Sequence, residues 1–265
     1  MQGWAVIRGF FPSSCYADVH AYINHLLDLK LAEAGLSPSS AQPVVRTEDY
    51  LRLCSVDRAK GGEIYRACRQ LLPLHRMATS EPVIALAKSL MKADFINSNP
   101  YTALRIDRQD EQKYLFEWHQ DYPYTQGSLD GIVIWGSLFP LLEGDGGIKL
   151  IPGSHRWGLQ KVEITDPLNA NRNGAHSIRI VEGDRFDQET AIRVDLEAGD
   201  ILAFSTLLLH KSVPAERSSV RWTFQIRHSN FSNSDSVRRG WPGGAALGDR
   251  FEVLHPEFVA AGERH

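Results

Sequence analysis

The apolar positions of the chain change their period near residue 100. Between residues 17 and 31 they recur at helical spacing, through Val19, Tyr22, Ile23, Leu26 and Leu27. This predicts a helix, preceded by a short strand over 3–11 and a turn at Pro12, Ser13 and Ser14. Two more helices are predicted over 64–72 and 82–91, with the Ser- and Pro-rich stretch 37–49 as a loop. Beyond residue 100 the pattern becomes short runs of β-branched and aromatic residues, at 101–106, 132–138, 148–151, 191–194, 201–204 and 221–227. Gly-rich breaks at 143–147, 152–154 and 198–200 separate several of these runs. Many short strands with such turns predict a mainly β fold with flanking helices, a jelly roll of two packed antiparallel sheets.

No repeat, low-complexity tract or linker divides the chain, so a single domain over 1–265 is expected. Within it, 1–99 form the helical flank and first strands, 100–230 the jelly-roll core, and 231–265 a C-terminal tail. Residues 157–190 are polar and irregular, and a loop of that length in a compact domain reads as a lid, a binding loop or a solvated excursion. A net charge of −3, from 29 basic and 32 acidic residues, gives no electrostatic reason for a nucleic-acid partner. No run approaches the ~18 apolar residues of a membrane span, and Arg8 interrupts the apolar start where a signal peptide would need continuity. The three cysteines, Cys15, Cys54 and Cys68, match neither a disulfide framework nor a CxxC zinc pattern, which points to a reducing, cytoplasmic setting. The expected partner is a small molecule, and the expected state a monomer or small homo-oligomer.

Candidate chemistry enters with Trp118-His119-Gln120-Asp121. On a strand, residues two apart share a face, so His119 and Asp121 can aim an imidazole and a carboxylate at one point. His210 closes the apolar run 201–209 and supplies a second imidazole. Two histidines and a carboxylate on one face of an octahedron form the triad that non-haem iron(II) oxygenases use. An isolated HxD is equally consistent with a histidine hydrogen-bonded to a neighbouring carboxylate, so the surroundings decide. Arg221 follows His210 by 11 residues, at the start of the next strand. A guanidinium there suits the distal carboxylate of 2-oxoglutarate, with the Ser212 hydroxyl beside it.

The chain resembles the phytanoyl-CoA dioxygenase family. The motifs that carry the likeness are Trp118-His119-Gln120-Asp121 and the glycine-rich turn 143–147. They continue with Ile151-Pro152-Gly153-Ser154-His155-Arg156-Trp157-Gly158, the run 198–204 followed by His210, and Arg221 at its spacing. The resemblance implies a double-stranded β-helix (cupin-like) fold and the use of iron(II), 2-oxoglutarate and O2. It implies His119, Asp121 and His210 as metal ligands, and Arg221, Ser212 and Arg105 as contacts to the cosubstrate; a surface salt bridge is the plainer role for Arg105. The implied activity is a dioxygenase that hydroxylates a small metabolite with release of succinate and CO2. The carboxylate at Asp121 argues for hydroxylation over halogenation, while desaturation, ring closure and epimerisation use the same triad.

For the substrate pocket, Tyr122 and Tyr124 line its mouth or pack the barrel rim, Trp135 is core or substrate wall, and Arg172 reaches in from the long loop. His155 is expected to hold its turn or the lid, and His228 to sit at a strand end. Two other readings stand beside this one. A cupin-type hydrolase, lyase or isomerase would use zinc or manganese at the same ligands; a catalytically silent member would bind a small molecule without metal.

Overall fold

The computed structural model describes residues 2–99, 102–164, 178–216 and 220–260. The chain opens with β1 (Trp4–Ile7), then α1 (Ser13–Glu33), α2 (Thr47–Val56), α3 (Arg58–Cys68), α4 (Leu72–Ala78) and α5 (Glu81–Met91). The helical region is richer than its sequence suggests. α2 begins inside the stretch expected as loop, and the helix expected over 64–72 instead starts at Arg58 and ends at Cys68, with a separate helix from Leu72. Asp57 caps α3 by accepting from the amides of Ala59 and Lys60. Pro73 then sits in the first turn of α4, where a missing amide proton costs nothing.

Two strands follow, β2 (Ile96–Ser98) and β3 (Ala103–Arg108), before the short helix α6 (Tyr122–Thr125). The remaining strands are β4 (Ile132–Ser137), β5 (Gly147–Leu150), β6 (Val162–Ile164), β7 (Ile178–Ile180), β8 (Ile192–Arg193), β9 (Ile201–Ser205), β10 (His210–Val213) and β11 (Val220–Asn230). The tail carries α7 (Ser234–Arg238) and α8 (Phe251–Leu254). The larger sheet runs β1-β9-β4-β11-β2, with β3 also paired to β11; the smaller runs β10-β5-β8, and β6 pairs with β7. Each pairing is antiparallel, and the architecture is a jelly roll with helices against one sheet.

β11 divides the interior in two. Its even residues Trp222, Phe224 and Ile226 are fully buried in the core that the helices make with Val19, Ile23, Leu27 and Leu53. Its odd residues Arg221, Thr223, Gln225 and Arg227 face the space between the sheets. Elsewhere that space is apolar: Val133, Trp135, Leu150, Leu202, Phe204 and Leu208 fill it. A third cluster, with Trp118, Tyr122, Ile151, Leu209 and Phe251, joins the tail to the barrel rim.

The run 201–209 is not one strand ending at His210, as its apolar character suggests. β9 stops at Ser205, whose hydroxyl accepts from the Leu207 amide, and the chain then crosses to the smaller sheet. His210 is the first residue of β10. Arg221 accordingly lies on the sheet opposite His210, not on the adjacent strand.

Candidate metal centre

His119 and His210 are brought together by backbone. Each amide donates to the other's carbonyl, at 3.0 and 3.1 Å, in an isolated antiparallel bridge. Asp121 is not on a strand. It is the N-cap of α6, with helical φ/ψ, and its side chain caps nothing. The carboxylate turns instead towards the histidines, and Asp121 Oδ1 lies 3.7 Å from His119 Nε2 and 3.8 Å from His210 Nε2. One donor atom from each residue falls within 4.8 Å of the others, a grouping able to hold a metal ion.

The imidazoles are turned the right way for ligation. Nδ1 of His119 lies 2.8 Å from the Glu117 carbonyl, and Nδ1 of His210 lies 2.9 Å from the Leu208 carbonyl. A carbonyl can only accept, so both Nδ1 atoms carry the proton and both Nε2 atoms keep their lone pairs. Burial, reinforced by the neighbouring His210, holds His119 down at about 3. Burial likewise lowers His210. Burial alone would raise Asp121, but Arg227 and the two histidines outweigh it and hold the carboxyl at about 2. The cluster is therefore two neutral imidazoles and a carboxylate, the donor set of a hard-to-borderline divalent ion.

Sequence-distant residues brace these ligands. Gln120 points away from the cluster, donating to the carbonyls of Gly158 and Leu207 and accepting from the Gln160 amide. Ser154 of the Pro-Gly-Ser-His segment is fully buried and accepts from the Leu209 amide, next to His210. His155 packs its ring on Gly3, where a Cβ would come within 2.2 Å of Nδ1, so it holds the turn. His228, two residues from the end of β11, is buried against the carbonyls of Asn97 and Ala78.

Deeper in the barrel, Arg221 donates through Nη1 to the carbonyls of Gly147 and Val213, and through Nη2 to Asp107 Oδ2 at 2.9 Å. Arg105 holds the other side of the same carboxylate, and lies 4.6 Å above the Phe116 ring. Burial would raise Asp107, yet the two arginines keep it at about 2. Arg221 Nε is buried with no hydrogen-bond partner among the described residues. Ser212, two residues on from His210 along β10, accepts from the Phe116 amide at 3.1 Å. Gly146, with φ +79°, leaves room for the Arg221 guanidinium, which a Cβ there would approach to 2.9 Å.

Tyr124 faces the cluster: its ring lies 6.1 Å from that of His119 and 6.0 Å from Phe116, and its hydroxyl donates to the Ile178 carbonyl. Tyr122 does not. It is buried in the rim cluster with its hydroxyl 3.0 Å from His255 Nε2, because positions two apart on a helical turn diverge by about 200°. Trp135 takes the core reading, packed between the sheets. Arg172 lies outside the described residues. Two residues that the sequence did not single out, Asp107 and Arg227, complete the polar interior; both share a strand face with a candidate, two residues from Arg105 and six from Arg221.

A jelly roll holding two histidines and an aspartate between its sheets defines a class of mononuclear metal enzymes. The chain belongs to the phytanoyl-CoA dioxygenase family, whose sequence profile it matches over residues 1–221. Among curated proteins it is 30% identical over 105 residues to 1-deoxypentalenic acid 11-beta-hydroxylase from Streptomyces exfoliatus, and 32% over 105 residues to that from Streptomyces arenae. Each match covers 39% of this chain and spans only 36% of the relative. Among solved structures, EctD from S. alaskensis with 2-oxoglutarate and 5-hydroxyectoine aligns at a TM-score of 0.56 and 16% identity, over 88% of this chain and 73% of that one. The epimerase SnoN from nogalamycin biosynthesis aligns at 0.51 and 15%, over 86% and 78%. These two likenesses bear on the fold. No helix among the described residues is long and apolar enough to cross a membrane.

Proposed function

We propose that the protein is a hydroxylase of a small-molecule metabolite, with His119, Asp121 and His210 as its iron ligands. The observation that carries this reading is the convergence of two deprotonated Nε2 atoms and Asp121 Oδ1 on one point. The donor set suits iron(II) and leaves coordination positions for a chelating keto acid. Iron(II) with 2-oxoglutarate supplies the oxidising power, consuming dioxygen and releasing succinate and CO2.

The residues of the chain do the rest. The orphaned Nε–H of Arg221 is a buried donor lacking an acceptor, which is costly unless an anion meets it. The distal carboxylate of 2-oxoglutarate is such an anion, with Ser212 beside it, since Arg105 and Arg221 share the single carboxylate of Asp107 and leave one positive charge over. Phe116 and Tyr124, ranged against His119, form the wall on which a substrate C–H would rest. The carboxylate at Asp121 favours hydroxylation, and the hydroxylase relatives agree in kind. Their substrate, an acid by name, makes small organic acids the first class to screen.

The purified protein with iron(II), ascorbate and 2-oxoglutarate should form succinate slowly without substrate and faster with it. His119→Ala should abolish both. Succinate formation that persists in that variant would sink the assignment.

A further inference from the structure

β11 sends two arginines inward, six residues apart, and each meets its own carboxylate. Arg221 meets Asp107. Arg227, buried at the metal end, donates from Nε to Asp121 Oδ2 at 2.9 Å. The oxygen that faces both imidazoles is the other one, Oδ1. The two oxygens of one carboxylate are thus divided between a guanidinium and the candidate metal position. Among the described residues Arg227 is the only hydrogen-bond donor to that side chain. The guanidinium is itself held, for its Nη2 donates to Gln225 Oε1 on the same strand face.

A carboxylate without such a partner can turn both oxygens to a divalent ion. Here that would occupy one of the three positions which the cosubstrate and dioxygen need. We propose that Arg227 is a positioning residue that holds Asp121 to ligation through a single oxygen, so that the facial triad keeps its open face. The inference rests on the reading of His119, Asp121 and His210 as metal ligands. It asks nothing of Arg227 as a contact to substrate or cosubstrate.

Cobalt(II) is a suitable probe, because its visible spectrum reports coordination number and it needs no turnover. Calorimetry and absorption titrations would compare the full-length protein with R227M, R227K and Q225L. We expect R227M to weaken cobalt(II) binding about 10- to 100-fold, the usual cost of losing an outer partner of a metal ligand. Its cobalt spectrum should change, and 2-oxoglutarate should bind the cobalt-loaded variant more weakly. R227K, which keeps the charge but not the fork, should recover part of each effect, and Q225L should shift each in the same direction by less. A folded R227M with the affinity, spectrum and 2-oxoglutarate binding of the parent overturns the proposal. If R227M does not fold, parent-like behaviour in both R227K and Q225L overturns it equally. A parent protein that binds no cobalt(II) overturns the underlying metal reading as well, and so separates the two failures.

Discussion

The two faces of β11 are both buried, yet they are held by opposite physics. Trp222, Phe224 and Ile226, each at 0% exposure, are stabilised by removing apolar area from water against the helices. Arg221, Thr223, Gln225 and Arg227 turn into the barrel, where a charge is tolerated only if its hydrogen bonds are met. Asp107, Asp121 and Gln225 meet most of them. In an ordinary antiparallel sheet an apolar–polar alternation separates core from water. Here it separates core from chemistry, and a single strand carries the stability of the fold on one side and the charges of the site on the other.

That separation can be broken deliberately. Phe224→Ala, on the helix face, should cost about 3–5 kcal/mol of stability in denaturant titrations while leaving metal affinity unchanged. His210→Gln, on the strand facing β11's inner side, should do the reverse. Metal affinity measured by equilibrium dialysis should fall by at least about 100-fold, since even an outer-shell change costs 10- to 100-fold. Arg221→Gln should raise the 2-oxoglutarate dissociation constant about 10- to 100-fold, equal to about 1.4–2.8 kcal/mol for a charge-assisted pair. Stability that collapses in Arg221→Gln, with binding of the keto acid unaltered, would mean that both faces serve the fold.

Acid should sharpen the contrast without mutation. His119 stays neutral in the fold down to about 3, against 6.5 ordinarily, so the unfolded chain protonates first. The stability this contributes is complete above about pH 6.5 and is lost as pH falls towards 3. The metal-free protein should lose about 1.4 kcal/mol per pH unit for each proton so taken up, and His119→Gln should flatten that slope. Smallest should be Gly146→Ala. A side chain at its positive φ costs about 1 kcal/mol, and the crowding of Arg221 should show as a severalfold weaker 2-oxoglutarate affinity.

Much of the architecture was legible in the order of residues. The strands of the barrel follow from their alternation and glycine breaks, and the triad from HxD and a distant histidine. α2 and α4 escaped because they are short, 10 and 7 residues, and lie beside Ser- and Pro-bearing stretches that read as loop. The crossing between sheets at Ser205–His210 escaped because Leu208 and Leu209 are buried in two different clusters, so the corner reads as one apolar run. Tyr122 and Tyr124 look equivalent beside Asp121, but a helical turn sends one to the tail and the other to the site. Arg227 lies 106 residues from Asp121, a separation no local pattern reports. Its parity with Arg221 was the available signal.

The backbone bridge between His119 and His210 has a consequence for metal supply. Since peptide hydrogen bonds fix the two imidazoles, the cradle stands ready before any ion arrives, and little rearrangement is left with which to reject a wrong one. Affinity should then climb along the Irving–Williams order, through cobalt and nickel to copper, past the iron(II) of the proposed function. Correct loading becomes a matter of which ion is abundant where the chain folds, and a surplus of nickel or copper should block the proposed activity by simple occupancy.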